Sequence, residues 1–211
     1  MEGDPQNVCE AKFWGRRTAG RTPAGEQSRG YLKLAGAARA CKFDFRGKTV
    51  LDIGSSTGGF TEYALDHGAK KVIAVEKGSH QMKAPLRFDP RIDLYEKTDI
   101  FDFKPTINID VIVADVSFIS LTKVLAYAKQ NLANHYTEFL VMLKPQFEAK
   151  PNQLRKGVVK NETIRRQIIK DFEQWLKRNN FLVLAKHDNE LSGKTGNVER
   201  FYHLKLSQSV L

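Results

Sequence analysis

The residues best placed to do chemistry begin with a glycine-rich run, Leu51-Asp52-Ile53-Gly54-Ser55-Ser56-Thr57-Gly58-Gly59-Phe60. It follows an apolar strand pattern, and Phe60 opens a helical one. In an open parallel sheet such a turn sits at the carboxyl end of the first strand, where ligands bind. Gly54, Gly58 and Gly59 let backbone come close to a ligand. The spacing is GxxxGG, so the second glycine of GxGxxG, which makes room for a pyrophosphate, is missing. That favours a nucleoside-type cofactor without one. Glu76 ends the next strand, 22 positions after Gly54, where an acid can accept hydrogen bonds from a ribose diol. The competing interpretation is a plain tight turn and a surface acid.

Two more strand ends carry charge. Asp115 follows Ile109–Ala114, and Lys144 follows Phe139–Leu143 and precedes Pro145. Lysine is rarely buried unpaired, and neighbouring strands lie only about 4.8 Å apart, so the two side chains can meet. The pair suits an ion pair that closes the sheet. It suits equally a lysine whose surroundings tune it for general-base work.

The elements that must position these groups are legible from the apolar pattern. Strands are expected at 49–53, 71–76, 92–95, 109–114, 139–143, 181–185 and 200–206. Helices are expected at about 32–40, 60–66, 121–132 and 162–177, the last with Ile164, Ile168, Phe172, Trp175 and Leu176 on one face. Continuous Val/Ile/Leu strands alternating with helices imply a parallel α/β sheet covered on both faces. The polar loop around Gly193-Lys194-Thr195-Gly196 would join the last two strands as a hairpin. Residues 1–28 hold four glycines and two prolines, show no periodicity, and read as a flexible basic arm ahead of one domain over 29–211.

The 211 residues hold 34 Lys+Arg against 24 Asp+Glu, a net charge of +10, with only two cysteines, Cys9 and Cys41. Two cysteines exclude a disulfide scaffold and a CxxC zinc site, and no metal site is expected. They fit a reducing, cytoplasmic setting. No apolar run approaches the roughly 20 residues of a membrane span, and no secretory leader is visible. The charge is uneven: residues 1–50 carry a net +5 and residues 144–178 a net +6 around a nearly neutral middle. Solvated faces are one explanation. The other is a basic rim for a polyanion, in which Arg165 and Arg166 on the 162–177 helix would touch RNA phosphates.

Five segments in order, SRGYLKL (28–34), LDIGSSTGGF (51–60), ADVSFIS (114–120), LKPQFE (143–148) and GNVERF (196–201), resemble the TlyA family of FtsJ-like ribose methyltransferases. The resemblance runs from about residue 28 to the carboxyl end. It implies a class I, Rossmann-like methyltransferase fold, a mostly parallel seven-stranded sheet with an antiparallel last strand. It also implies S-adenosyl-L-methionine as cofactor and ribosomal RNA as partner, methylated on a ribose 2′-hydroxyl, with no role for DNA or a membrane. Carried over by motif, the family's Lys-Asp-Lys-Glu tetrad falls on Lys33, Asp115, Lys144 and Glu199. Lys144 would be the general base. Cofactor contacts fall on Gly54, Gly58, Gly59, Phe60, Glu76, Asp99 and Asp115, with Asp99 reaching the adenine amino group.

Two departures stand out. Family members usually carry a small RNA-binding domain ahead of the methyltransferase, for which residues 1–28 are too short. Tyr31 stands where SRGGLKL would have glycine, either to stack on a base or to pack under the first helix. The competing functions are a non-catalytic RNA-binding or ribosome-assembly module and, following the family's haemolysin label, a membrane-active protein. The latter needs a free amphipathic or spanning segment.

Overall fold

The computed structural model describes residues 27–189, 191 and 196–207. The expected arm, apart from its last two residues, and loop positions 193–195 lie outside them. Seven strands and six helices follow in the order α1 Arg29–Ala40, β1 Thr49–Ile53, α2 Gly59–Asp66, β2 Lys71–Val75, α3 Ala84–Arg87, β3 Ile92–Tyr95, β4 Val111–Ala114, α4 Leu121–Asn131, β5 Glu138–Leu143, α5 Pro145–Glu148, α6 Glu162–Arg178, β6 Phe181–Asp188 and β7 Arg200–Leu206. The strands form one sheet in the order β3-β2-β1-β4-β5-β7-β6. Strands β1 to β5 pair in parallel, and β7 runs antiparallel to both β5 and β6. This is the class I methyltransferase sheet, with β6 and β7 closing it as the expected hairpin.

Alternation along the strands sorts the core into two layers. Val50, Val72, Val111, Val113, Leu140 and Met142 face α1 and α2. Leu51, Ile53, Ile73, Ile112, Phe139 and Val141 face α4 and α6. The helices start where side chains satisfy the first free N–H groups. Ser28 Oγ accepts from Tyr31 N in α1, Ser120 Oγ from Thr122 N in α4, and Asn161 from the N–H groups of Thr163 and Ile164 in α6. Strand β4 starts two residues later than the pattern implies; just ahead of it the Asp110 carboxylate accepts the Thr49 N–H at 2.8 Å.

Tyr31 packs. It is buried, its ring meets Tyr63 edge-on at 5.1 Å, and its hydroxyl donates to Asp66 at 3.3 Å. Burial pushes its hydroxyl pKa up to about 12. Base stacking by Tyr31 is therefore set aside.

Asp52 is the one charge-bearing residue in the middle of β1, and it is fully buried on the α2 side. Its Oδ2 accepts from Thr61 Oγ1 at 2.6 Å, while Oδ1 has no hydrogen-bond partner. Burial pushes this carboxyl up to about 7; the Thr61 bond holds it back in part, and the charges of Asp115 and Glu76 add to the rise. The folded chain thus keeps a proton that an unfolded chain releases near pH 4. Stability from this group is full below about pH 4 and is lost as pH rises towards about 7. Asp52→Asn is expected to flatten that decline, so that melting curves of variant and wild type diverge in the variant's favour between about pH 5 and pH 8. Parallel pH profiles for the two proteins would contradict it.

Candidate active site

The sheet order reverses between β1 and β4, which places a crevice at their carboxyl ends. Gly54, after β1, and Asp115, after β4, flank it, and a Cβ at Gly54 would stand 3.4 Å from the Asp115 carbonyl oxygen. Around this point the structure gathers most of the expected residues.

Lys144 follows β5 and is buried. Its Nζ lies 2.5 Å from Asp115 Oδ1 and donates to Ser117 Oγ at 2.9 Å. Lys33, on α1, donates to Glu199 Oε2 at 2.6 Å, with side-chain exposures of 10% and 4%. The β5–β7 register pairs Leu143 with Arg200, so Lys144 and Glu199 occupy facing positions one residue beyond that pair. Four charged groups from four sequence regions thus form two lysine–carboxylate pairs at one end of the sheet, with Lys33, Lys144 and Glu199 buried and Asp115 partly exposed. The buried charges of Lys33, Lys144 and Glu199 survive only because each has its partner.

The backbone at Glu199 and its neighbour Val198 is held in place. Its carbonyl accepts the Asn189 N–H at 2.8 Å. Arg165 Nε donates to the Val198 carbonyl at 3.3 Å, and Arg165 Nη2 pairs with Asp188 at 2.9 Å. Arg165 is therefore buried scaffolding and not a phosphate contact; of the two arginines only Arg166 is exposed. The sequence signal was present: Arg165 lies three residues before Ile168 on the buried stripe Ile168–Ile169–Phe172–Leu176.

On the other side of the crevice, Glu76 ends the β2 region half-buried. Its Oε2 accepts from the Ser56 N–H at 2.9 Å and its Oε1 from the Gly78 N–H at 2.7 Å. Asp99 pairs with Lys77 at 2.9 Å and accepts the Phe101 N–H at 3.2 Å. Those bonds hold its carboxyl below the usual range. Because Lys77 is 81% exposed, that pair is screened by water and gives way easily. Ser55, buried in the turn, has a hydroxyl without a hydrogen-bond partner. A buried unpaired hydroxyl next to Ser56, whose N–H binds Glu76, fits a polar ligand seated on this turn.

Gly59 and Phe60 are placed by packing. A Cβ at Gly59 would come within 2.4 Å of Ser28 Oγ and 2.7 Å of Tyr31 N, so the crossing of α1 and α2 demands glycine there. The Phe60 ring is buried at 6.0 Å from Phe201. Only the backbone of these two residues is left for a ligand. Gly58, at φ 92, caps α2, and a Cβ there would run into Leu86 at 2.7 Å.

Three residues of the site were not singled out by sequence reasoning. Ser117 receives the Lys144 ammonium. Phe118, at φ 65, presents a ring that is 92% exposed, 5.3 Å from that of Phe147. Glu148 binds Ser120 Oγ and the Leu121 N–H, each at 2.6 Å. It thereby ties the segment after Lys144 to the segment after Asp115; burial raises its carboxyl and these two bonds hold it back. Its signal was its place inside LKPQFE.

The profile of FtsJ-like methyltransferases matches residues 27–206. A Campylobacter jejuni protein named 23S rRNA (cytidine-2′-O)-methyltransferase TlyA is 38% identical over 178 residues, spanning 83% of this chain and 69% of its own. A Mycobacterium tuberculosis protein named 16S/23S rRNA (cytidine-2′-O)-methyltransferase TlyA is 36% identical over 182 residues, spanning 84% and 68%. A solved structure from Streptococcus thermophilus, described as a hemolysin, superposes with a TM-score of 0.82 at 32% identity, over 86% of this chain and 67% of that one. No helix among the described residues is long and apolar enough to cross a membrane. The amphipathic stripe of α6 is buried against the sheet, so the membrane-active alternative has no free helix face there. With fold, crevice and match in agreement, this chain belongs to the FtsJ-like methyltransferase family.

Proposed function

We propose that the chain transfers a methyl group from S-adenosyl-L-methionine to a ribose 2′-hydroxyl of ribosomal RNA. The observation that carries the reading is the pair of lysine–carboxylate contacts, Lys144–Asp115 and Lys33–Glu199, beside the glycine turn. The substrate class is taken from the names of the two TlyA relatives, which agree on ribosomal RNA and on the 2′-oxygen.

When bound, the cofactor supplies an electrophilic methyl group on a sulfonium. Glu76 would hold its ribose hydroxyls, Asp99 its adenine amino group, and the backbone at Gly54 and Gly58 would line the turn. Asp115 contributes negative charge suited to a cationic donor. A ribose hydroxyl is a weak nucleophile and loses its proton as it attacks. Lys144 in its neutral form takes that proton at Nζ, while Asp115 and Ser117 fix the direction of the amine. Lys33 and Glu199 stand as a second, mutually neutralised pair at the facing strand end. The exposed Phe118 ring offers a stacking surface for a base. DNA lacks the hydroxyl that the reaction needs.

Calorimetric titration with S-adenosylhomocysteine is expected to show one site. Glu76→Ala should weaken it by about 1–3 kcal/mol, the usual loss of a hydrogen bond to a charged group, which is roughly 5–150-fold in Kd. Tighter binding of NADH than of S-adenosylhomocysteine would contradict the cofactor assignment.

A further inference from the structure

Between α5 and α6 the chain makes a tight turn whose charge is one-sided. Residues 150–160 carry Lys150, Arg155, Lys156 and Lys160 and no acid. Arg155, Lys156 and Lys160 are exposed. Among the described residues, none of these three side chains makes an ion pair or a hydrogen bond. Elsewhere the cations nearest the crevice, Lys33, Lys77 and Lys144, are all paired.

The turn is built and not loose. Arg155 N donates to Val158 O at 2.9 Å and Val158 N to Arg155 O at 3.1 Å, closing a two-residue hairpin. Its central residues, Lys156 at φ 50 and Gly157 at φ 76, are both left-handed, the geometry of a type I′ turn. Asparagine or glycine holds the first of these positions with less strain than lysine. Strain kept at one residue in an otherwise ordinary hairpin points to a use for that residue, and here it keeps a cation at the tip. A Cβ on Gly157 would meet nothing within 4 Å, so the tip is open.

The turn is also bolted to the candidate active site. Asn197 is buried, its Nδ2 donates to Gly157 O at 3.2 Å, and its Oδ1 accepts the Val159 N–H at 3.1 Å. Asn197 lies two residues before Glu199. The other end of the turn segment follows Lys144 through α5. Free cations are thus fixed relative to both lysine–carboxylate pairs.

We infer that the Arg155–Lys160 turn is a phosphate-binding clamp, which grips the backbone of the RNA strand whose ribose is presented to Lys144. This rests on the RNA reading above. A membrane surface is the other polyanion to consider, but surface-binding segments join cations to an exposed apolar face. Here Val159 is buried and Val158 half-buried, leaving the turn nothing to insert.

The test is binding of a fluorescein-labelled single-stranded fragment of ribosomal RNA by the full chain, titrated over a range of KCl concentrations. The triple variant Arg155→Gln, Lys156→Gln, Lys160→Gln is expected to reduce the slope of log affinity against log salt by about 2, at roughly 0.7 per lost phosphate contact. Lys156→Asn, which suits the turn and removes one charge, should reduce it by about 0.7 without lowering the melting temperature. Both variants should bind S-adenosylhomocysteine as wild type does. A wild type with a steep slope that the triple variant keeps would overturn the clamp alone. A wild type with no salt-dependent RNA binding would overturn the RNA reading and the clamp with it. Loss of binding to phosphatidylglycerol vesicles with RNA binding intact would also overturn the clamp and assign the turn to membranes.

Discussion

Alanine at position 144 is expected to lower turnover by about 10²–10⁴-fold, the usual yield of a general acid–base group, while leaving S-adenosylhomocysteine binding nearly unchanged. Lys144 Nζ donates to Ser117 Oγ at 2.9 Å and sits in ion-pair contact with Asp115 Oδ1 at 2.5 Å, so it is positioned before substrate arrives. Lys144→Arg should not restore the rate, because a guanidinium stays protonated at any working pH. Single-turnover rates of wild type and variants measure both. Near-normal turnover by Lys144→Arg would leave Lys144 as an electrostatic anchor only. The rate would then come from positioning of the two substrates.

Glu199→Ala is expected to cost about 3–5 kcal/mol of folding stability, since it strands a buried ammonium without its partner. The pair is 2.6 Å long with a side-chain exposure of 4% on the glutamate, so solvent does little to soften the loss. Urea unfolding of the variant measures it. The double variant Lys33→Met, Glu199→Leu separates fold from chemistry. Apolar groups of similar size often replace a buried ion pair with no loss of stability, so stability should return while methyl transfer stays low. A Glu199→Ala cost under about 1 kcal/mol would mean that water reaches the pair. Full activity in the stabilised double variant would remove Lys33 and Glu199 from the reaction.

The parts of this molecule that were legible in the sequence are those fixed by local rules. Continuous apolar strands 49–53, 71–75 and 139–143 can only be buried on both faces, and their ends therefore mark the crevice. Gly54, Asp115 and Lys144 follow directly from that. The Lys33–Glu199 pair does not: its partners are 166 positions apart, on a helix and at a strand end, and only the family motifs brought them together. Helices α3 and α5, of four residues each, are too short to show a period. Gly59 looked like a ligand glycine, because sequence cannot say which surface a missing side chain faces; it faces α1. Arg165 looked like a surface cation, because composition outweighed its place on the buried stripe of α6. Glu148 escaped attention because capping a distant helix leaves no trace in local spacing.

The central claim is methyl transfer to a ribose oxygen, and mass-spectrometric mapping of ribosomal RNA incubated with the protein and S-adenosyl-L-methionine tests it most directly. The account predicts a 2′-O-methylated nucleotide that appears with wild type, is lost with Lys144→Ala, and fails to form when the target nucleotide is 2′-deoxy. Methylation on a base, or no new methyl group in RNA under conditions where S-adenosylhomocysteine binds, would contradict it.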